Sequence, residues 1–215
     1  TRSFHVTGVQ TCALPICHTG QALVPDGTGA VLIIEADGAQ AAIEDEMARV
    51  ADACRQTGAT GFTHAADEAQ RDRIWAVRRA VSLALKATGL SRVNHDVVVP
   101  RGRVPELFAA VDGLKRTFGV RVASFGHAGD GNIHVNIMFN GADPADRASA
   151  IQAAQALFQH VIDLEGSISG EHGIGFAKKP YIGMELSTDV IALMKRVKIA
   201  FDPHGILNPG KVFPD

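Results

Sequence analysis

What this chain lacks narrows its class before any motif is read. It has three cysteines in 215 residues, an odd number in no metal-ligand spacing, which argues against a disulfide framework and for a reducing compartment. No apolar run approaches the roughly 18 to 20 residues that a membrane helix needs. Charge of either sign is not in excess. A formal charge of −2 and a pI near 6.5 leave no electrostatic footprint for nucleic acid or an anionic membrane surface. Familiar catalytic signatures are missing too. There is no H-E-x-x-H, and H-x-x-E-H fails because Ile168 stands where its first histidine should precede Glu171. Gly126, Gly129 and Gly131, like Gly170, Gly173 and Gly175, read G-x-x-G-x-G and not the dinucleotide G-x-G-x-x-G, and no Walker lysine follows.

What is present suits a globular protein. With 46% hydrophobic and 20% charged residues the chain can bury a sizeable core. Residues 1–16, TRSFHVTGVQTCALPI, have no helical or strand period joining them to the rest of the chain, and they resemble a translated sequencing adapter. A signal peptide is the competing reading, but no continuous apolar segment of about 7 to 15 residues supports it. We therefore expect a foreign segment over 1–16, an α+β domain over 17–165, and a loop, helix and tail over 166–215.

Periodicity supplies the elements. Val31 to Ile34 read as a strand, and Ile43, Met47, Val50, Ala51 and Cys54 as the stripe of a helix stopped by Gly58, with Cys54 a small buried hydrophobe. Thr60 to His64 is a weak second strand, and Asp67 starts a second helix. Val97 to Val99 form another strand, and Leu107, Phe108, Val111, Leu114 and Phe118 another helical stripe ended by Gly119. Asp143-Pro144 caps and starts the next helix, and Val190 to Phe201 mark the last. Strands and helices in this order, with a hairpin among them, predict an antiparallel sheet with helices packed on one face, of the ferredoxin-like kind, plus a C-terminal helical and loop extension.

Two stretches carry chemistry. In FGHAGDGNIHVNI, from Phe125 to Ile137, strict alternation puts Asn132, His134 and Asn136 on one strand face and Ile133, Val135 and Ile137 on the other. A hairpin closed by Ala-Gly-Asp-Gly would bring His127 and His134 together as half of a metal site, with Asp130 bonding its own backbone in the turn. The second stretch sets Glu171-His172 among Gly166, Gly170, Gly173 and Gly175, so that the backbone can fold tightly and approach a ligand. Glu171 as third ligand would leave an open metal position, and His172 could act as a general base. Glycine-flanked histidines also occur in turns that only satisfy backbone groups, so a structural reading stands beside the metal one. Trp75 and Arg78 share a helix face and could clamp a carboxylate, or Arg78 could be a solvated arginine beside a core tryptophan.

FGHAGDGNIHVNI, ISGEHGIGFAKKPY and AFDPHGILNPGKVF, in that order, resemble the C-terminal half of the FAD-linked oxidases of the vanillyl-alcohol-oxidase superfamily, in the branch of the glycolate oxidase flavin subunit and the D-lactate and D-2-hydroxyglutarate dehydrogenases. The resemblance runs from about Ala30 to the C-terminus. It implies a divalent metal, zinc, bound by His127, His134 and Glu171, with His172 as the base facing substrate and flavin. It implies substrate contacts from Arg78, Ser82 and Asn136, and positions near the FAD for Asn208 and Lys211. Its partners would be a small 2-hydroxy acid, an electron acceptor and other subunits of an oxidase complex. The location would be cytoplasmic, or peripheral at a membrane through that acceptor. Asn94-His95-Asp96 departs from the D-2-hydroxyglutarate branch, which carries a substrate-binding lysine before the aspartate; this argues against a substrate with a second carboxylate. The family's FAD-binding domain lies upstream, so we expect a C-terminal part that is inactive alone. The rival classes are a metal-assisted hydrolase, which needs no flavin, and a non-catalytic binding module.

Overall fold

The computed structural model describes residues 4–10 and 28–214, in two compact units, Thr1–Gly89 and Leu90–Asp215. In the N-terminal unit, β1 (Phe4–Gln10) pairs antiparallel with β2 (Ala30–Ala36), in a register from Phe4↔Ala36 to Gln10↔Ala30. The absence of a strand period over 1–16 thus did not prevent a strand there. A ladder satisfies backbone groups, which every non-proline residue carries whatever its side-chain pattern. The rest of that stretch, residues 1–3 and 11–16, lies outside the described residues. Two helices come next, α1 (Gln40–Gln56) and α2 (Glu68–Ala87). Asp67 caps α2 by accepting from the Gln70 N–H at 2.7 Å, and Cys54 on α1 is a half-buried free thiol. Thr60 to His64 is not a strand: this exposed segment, with Gly61 inside it, has no ladder partner among the described residues.

The C-terminal unit holds a three-stranded antiparallel sheet, the α+β arrangement expected. Its strands are β3 (Ser91–Val98), β4 (Arg121–His127) and β5 (Asn132–Phe139), and β5 lies between the other two. Helix α3 (Val104–Phe118) connects β3 to β4 and ends at Gly119, whose φ of 67° is the left-handed conformation that glycine adopts at low cost. Helix α4 (Pro144–Asp163) starts at Asp143, which accepts from the Ala145 N–H at 2.8 Å. Leu107, Val111 and Leu114 of α3, with Leu157, Phe158 and Val161 of α4, join Ile133, Val135 and Ile137 of β5 in one buried cluster. Burying such side chains contributes roughly 1.5 to 3 kcal/mol each.

After α4, a ferredoxin-like fold would add a fourth strand beside β3. Here that strand is reduced to a single bridge, Val98↔Ser167, made by two N–H to O=C bonds of 3.1 and 2.9 Å. Gly166 allows the approach, because a Cβ there would overlap the carbonyl oxygen of Val98. The chain then leaves the ladder as a loop. Short α5 (Ile182–Glu185) and α6 (Thr188–Phe201) complete the unit, and Val190, Leu193, Val197 and Phe201 of α6 stand exposed. No helix of the described residues is long and apolar enough to cross a membrane.

Candidate functional site

Cross-strand register determines which side chains meet. Asp96, His134 and Phe125 are direct neighbours across β3, β5 and β4, on the sheet face opposite Ile133 and Val135. His127 lies opposite Asn132 and therefore diagonal to His134, with ring centroids 6.2 Å apart. The turn between them closes through N–H bonds from Asp130 and Gly131 to the His127 carbonyl, and Asp130 Oδ1 accepts the Asn132 N–H at 2.9 Å, the local role expected of it. All eight residues of β5 are buried, so the polar face of Asn132, His134 and Asn136 is not a solvated one. Asn136 has no exposure and donates to the carbonyls of Ala123 and His134.

Over this face comes the loop after the Ser167 bridge. Gly170 packs where a Cβ would fall 2.7 Å from Asn132 Oδ1 and 2.8 Å from Asp96 Oδ1, closer than real Cβ contacts occur. That seating brings Glu171 Oε1 to 3.3 Å from His134 Nε2 and 3.6 Å from His172 Nε2. The His134 and His172 rings stack at 5.3 Å. Glu171 and His172 are each about half exposed, 50% and 52%, so the cluster opens outward from a buried floor.

The donor atoms of His127, His134 and Glu171 all lie within 4.8 Å of one another. Ligands held about 2.1 Å from a tetrahedral zinc sit about 3.4 Å apart, and the His134–Glu171 pair already meets that spacing. Burial pushes the His134 imidazole below its usual pKa, against the raising pull of Asp96 and Glu171, which favours the neutral form that ligates metal. Two imidazoles and a carboxylate thus fit a divalent metal of the zinc type. A second grouping, Asp96, His134 and His172, meets the same distance limit. It is the poorer set, because Asp96 is fully buried, its Oδ2 already accepts the N–H groups of Glu171 at 2.7 Å and His172 at 2.8 Å, and its Oδ1 faces His134 Nδ1 and not the Nε2 that Glu171 meets.

Asp96 and Lys178 are the residues that sequence reasoning passed over. Burial would push Asp96 up, but the N–H donors of His172 and Glu171 and the Lys178 ammonium outweigh it and hold the carboxyl below its usual range. Lys178, itself buried, donates to the Asp96 carbonyl at 2.5 Å and lies 3.8 Å from Oδ2. The available signal was a lone carboxylate inside an otherwise apolar strand end, HDVVV. Nothing comparable marked Lys178.

The remaining expected residues lie elsewhere. Arg78 and Ser82 are on α2 of the N-terminal unit, one turn apart, the first half-buried and the second exposed. Asn208 and Lys211 sit in the exposed tail, where Lys211 Nζ donates to Asn208 Oδ1 at 3.1 Å and lies 5.6 Å from the centre of the exposed Phe176 ring. Val212 N–H bonds to the Gly175 carbonyl at 2.9 Å, tying this tail to the end of the glycine loop.

Comparison with known proteins gives consistent results. The family model for FAD linked oxidases, C-terminal domain, matches residues 9–212. The glycolate oxidase subunit GlcD of Bacillus subtilis is 34% identical over 190 residues, 88% of this chain and 40% of that protein. GlcD of Escherichia coli K12 is 36% identical over 190 residues, 88% of this chain and 38% of that protein. A D-lactate dehydrogenase of Anaerostipes hadrus is 33% identical over 186 residues, 86% of this chain and 39% of that protein. The chain therefore spans about two-fifths of the length of these relatives. Among solved structures, 4-ethylphenol oxidase from Gulosibacter chungangensis matches with a TM-score of 0.66 at 15% identity, covering 98% of this chain and 48% of that one, a likeness of fold.

Proposed function

The chain belongs to the C-terminal domain family of FAD-linked oxidases, and from that premise we propose that it is the substrate-and-metal domain of a flavin-dependent 2-hydroxy-acid dehydrogenase. The observation that carries this reading is the convergence of His127, His134 and Glu171 on one point with His172 beside them. Family membership favours it over a metal-assisted hydrolase or a non-catalytic binding module.

Each residue then has a stated task. His127, His134 and Glu171 would hold a divalent cation, zinc by the chemistry of the set, which when bound supplies Lewis acidity that lowers the pKa of a coordinated hydroxyl. His172, half exposed beside Glu171, takes the hydroxyl proton of a 2-hydroxy acid. The family motif would give Asn136 a substrate contact; fully buried on the strand face that carries His134, it steadies that strand through its Nδ2 bonds to the Ala123 and His134 carbonyls. On the match of motif alone, Arg78 binds the substrate carboxylate and Ser82 offers a hydroxyl. No side chain accepts the two electrons released with the α-hydrogen; a flavin, held mainly by another domain in the family's plan, supplies that acceptor. Asn208 and Lys211, with the exposed Phe176 ring, would contribute the edge of the chain toward it. The absence of a lysine at Asn94 and His95 points to a monocarboxylic substrate of the glycolate or D-lactate type.

The test is 2-hydroxy-acid-dependent reduction of a dye by the intact, flavin-loaded gene product, with metal content measured on the same sample. Removing a general base is expected to lower turnover by about 100-fold or more, so His172→Ala should show that loss with unchanged metal content. Near wild-type turnover in that variant would remove His172 from the mechanism.

A further inference from the structure

Asp96 has no solvent exposure, and its two oxygens have different neighbours. Oδ2 accepts the backbone N–H groups of Glu171 and His172 and faces the Lys178 ammonium. Oδ1 has no hydrogen-bond partner and faces His134 Nδ1 at 3.8 Å, and that nitrogen is also buried without one. A buried polar atom left unpaired is destabilising by about 1 to 3 kcal/mol, so two of them facing each other across a strand pair call for a reason.

The imidazole supplies one. A neutral ring carries one proton on either nitrogen, and the other nitrogen keeps the lone pair. His134 Nε2 is the atom 3.3 Å from Glu171 Oε1, on the side where the donors converge. A proton on Nδ1 would point at Asp96 Oδ1 and leave Nε2 free to ligate, and a shift of about 1 Å would close the contact to hydrogen-bond length. Carboxylates behind ligand histidines fix the tautomer in this way and raise the basicity of the ligating nitrogen. The other oxygen of the same carboxylate secures the backbone of a second donor, Glu171.

We propose that Asp96 is the positioning residue of the metal site: Oδ1 fixes His134 as its Nδ1–H tautomer, and Oδ2 seats the Glu171–His172 backbone, so that donors from β5 and from the glycine loop face one point. The proposal rests on the reading of His127, His134 and Glu171 as metal ligands and adds to it a group that is itself no ligand. Lys178 balances the buried charge. Gly170 leaves the space in which the loop settles on it.

Two variants separate the two tasks. In Asp96→Asn the amide oxygen can still accept from Glu171 and His172, but its NH₂ then faces His134 Nδ1 and drives the proton to Nε2, the wrong atom for ligation. In Gly170→Ala the carboxylate and its lysine stay, but the new Cβ pushes the loop off Asp96. The measurements are Co²⁺ titration by visible absorption, the ¹⁵N shifts of the metal-free His134 ring, and hydrogen exchange at the Glu171 and His172 amides, with thermal unfolding as the check on folding. Wild type should show the Nδ1–H ring, protected amides and tight Co²⁺ binding. Each variant should bind Co²⁺ about 10- to 100-fold more weakly. Asp96→Asn should keep the amide protection and change the ring tautomer; Gly170→Ala should do the reverse. If Asp96→Asn fails to fold, Gly170→Ala and the wild-type ring still decide. An Nε2–H ring in the wild type, or equal Co²⁺ affinity in the folded variants and the wild type, overturns the proposal and leaves the metal reading intact. Absence of Co²⁺ binding by the wild type overturns both.

Discussion

Gly131 at the end of the hairpin turn allows a prediction whose size comes from geometry. Its φ is +81°, and a Cβ built there would overlap the carbonyl oxygen of Val99 and lie 3.2 Å from the carbonyl carbon. Val99 cannot simply move aside, since its own N–H, in the preceding peptide, donates to the Gly131 carbonyl at 3.1 Å. Gly131→Ala therefore faces two penalties, about 1 to 2 kcal/mol for the left-handed conformation and about 1 to 3 kcal/mol for overpacking. Gly119 isolates the first. Its φ is +67°, nothing lies within 4 Å of a Cβ there, and it belongs to the same unit. Gly131→Ala should therefore be less stable than Gly119→Ala by about 1 to 3 kcal/mol. With a urea dependence of about 2 kcal/mol per molar, this is a midpoint lower by roughly 0.5 to 1.5 M, read by far-ultraviolet circular dichroism. Because His127 precedes this turn, weaker Co²⁺ binding should accompany the loss. Equal midpoints for the two variants would show that the approach to Val99 is not what requires glycine, and the reasoning would fail.

Two further outcomes concern pH and metal. Burial, with Lys178 adding to it, pushes the His95 imidazole down to about 4 from an ordinary 6.5, so the unfolded chain takes up the proton first. Stability is then complete above about pH 6.5 and falls as pH drops toward about 4, by at most about 3 kcal/mol. His95→Gln should flatten that slope in urea midpoints taken at about pH 7 and about pH 4.5, and an unchanged slope would remove His95 as its source. Adding Zn²⁺ at about 100 times its dissociation constant should stabilise the fold by about 2.7 kcal/mol, roughly 5 to 11 °C in Tm for a chain of this size. A chelator should reverse the gain, and Glu171→Gln should show neither effect; a variant that still responded would place the ion elsewhere.

Much of the fold was legible because local chemistry and global packing agree in this chain. Alternation in Asn132 to Ile137 and the glycines before it specified the hairpin, and Asp67, Gly119 and Asp143 marked helix ends by their own backbone chemistry. Thr60 to His64 misled because a short run of β-prone residues, Thr60, Phe62 and Thr63, looks like a strand whether or not a partner strand exists. Phe4–Gln10 misled in the opposite sense, since its pairing with β2 uses backbone groups that leave no period. At the site, the ligand types and the glycine spacing could be read. The burial of the polar face could not, because alternation separates two sheet faces without saying what covers the second. Asp96 was hidden for the same reason: its partners come from a loop whose path depends on how the whole unit packs.

The truncated strand at Ser167 bears on the order in which the unit assembles. The hairpin bonds of β4 and β5 span few residues and can form early, whereas the bonds from Asp96 to the Glu171 and His172 amides close separations of 75 and 76 residues. With only one bridge to guide it, the glycine loop has little ladder along which to zip. Its seating is expected to be the final event, after α4 has docked. Ion capture would then report completed folding, and stopped-flow mixing with Co²⁺ should show absorbance rising after the far-ultraviolet signal of the sheet and helices has finished.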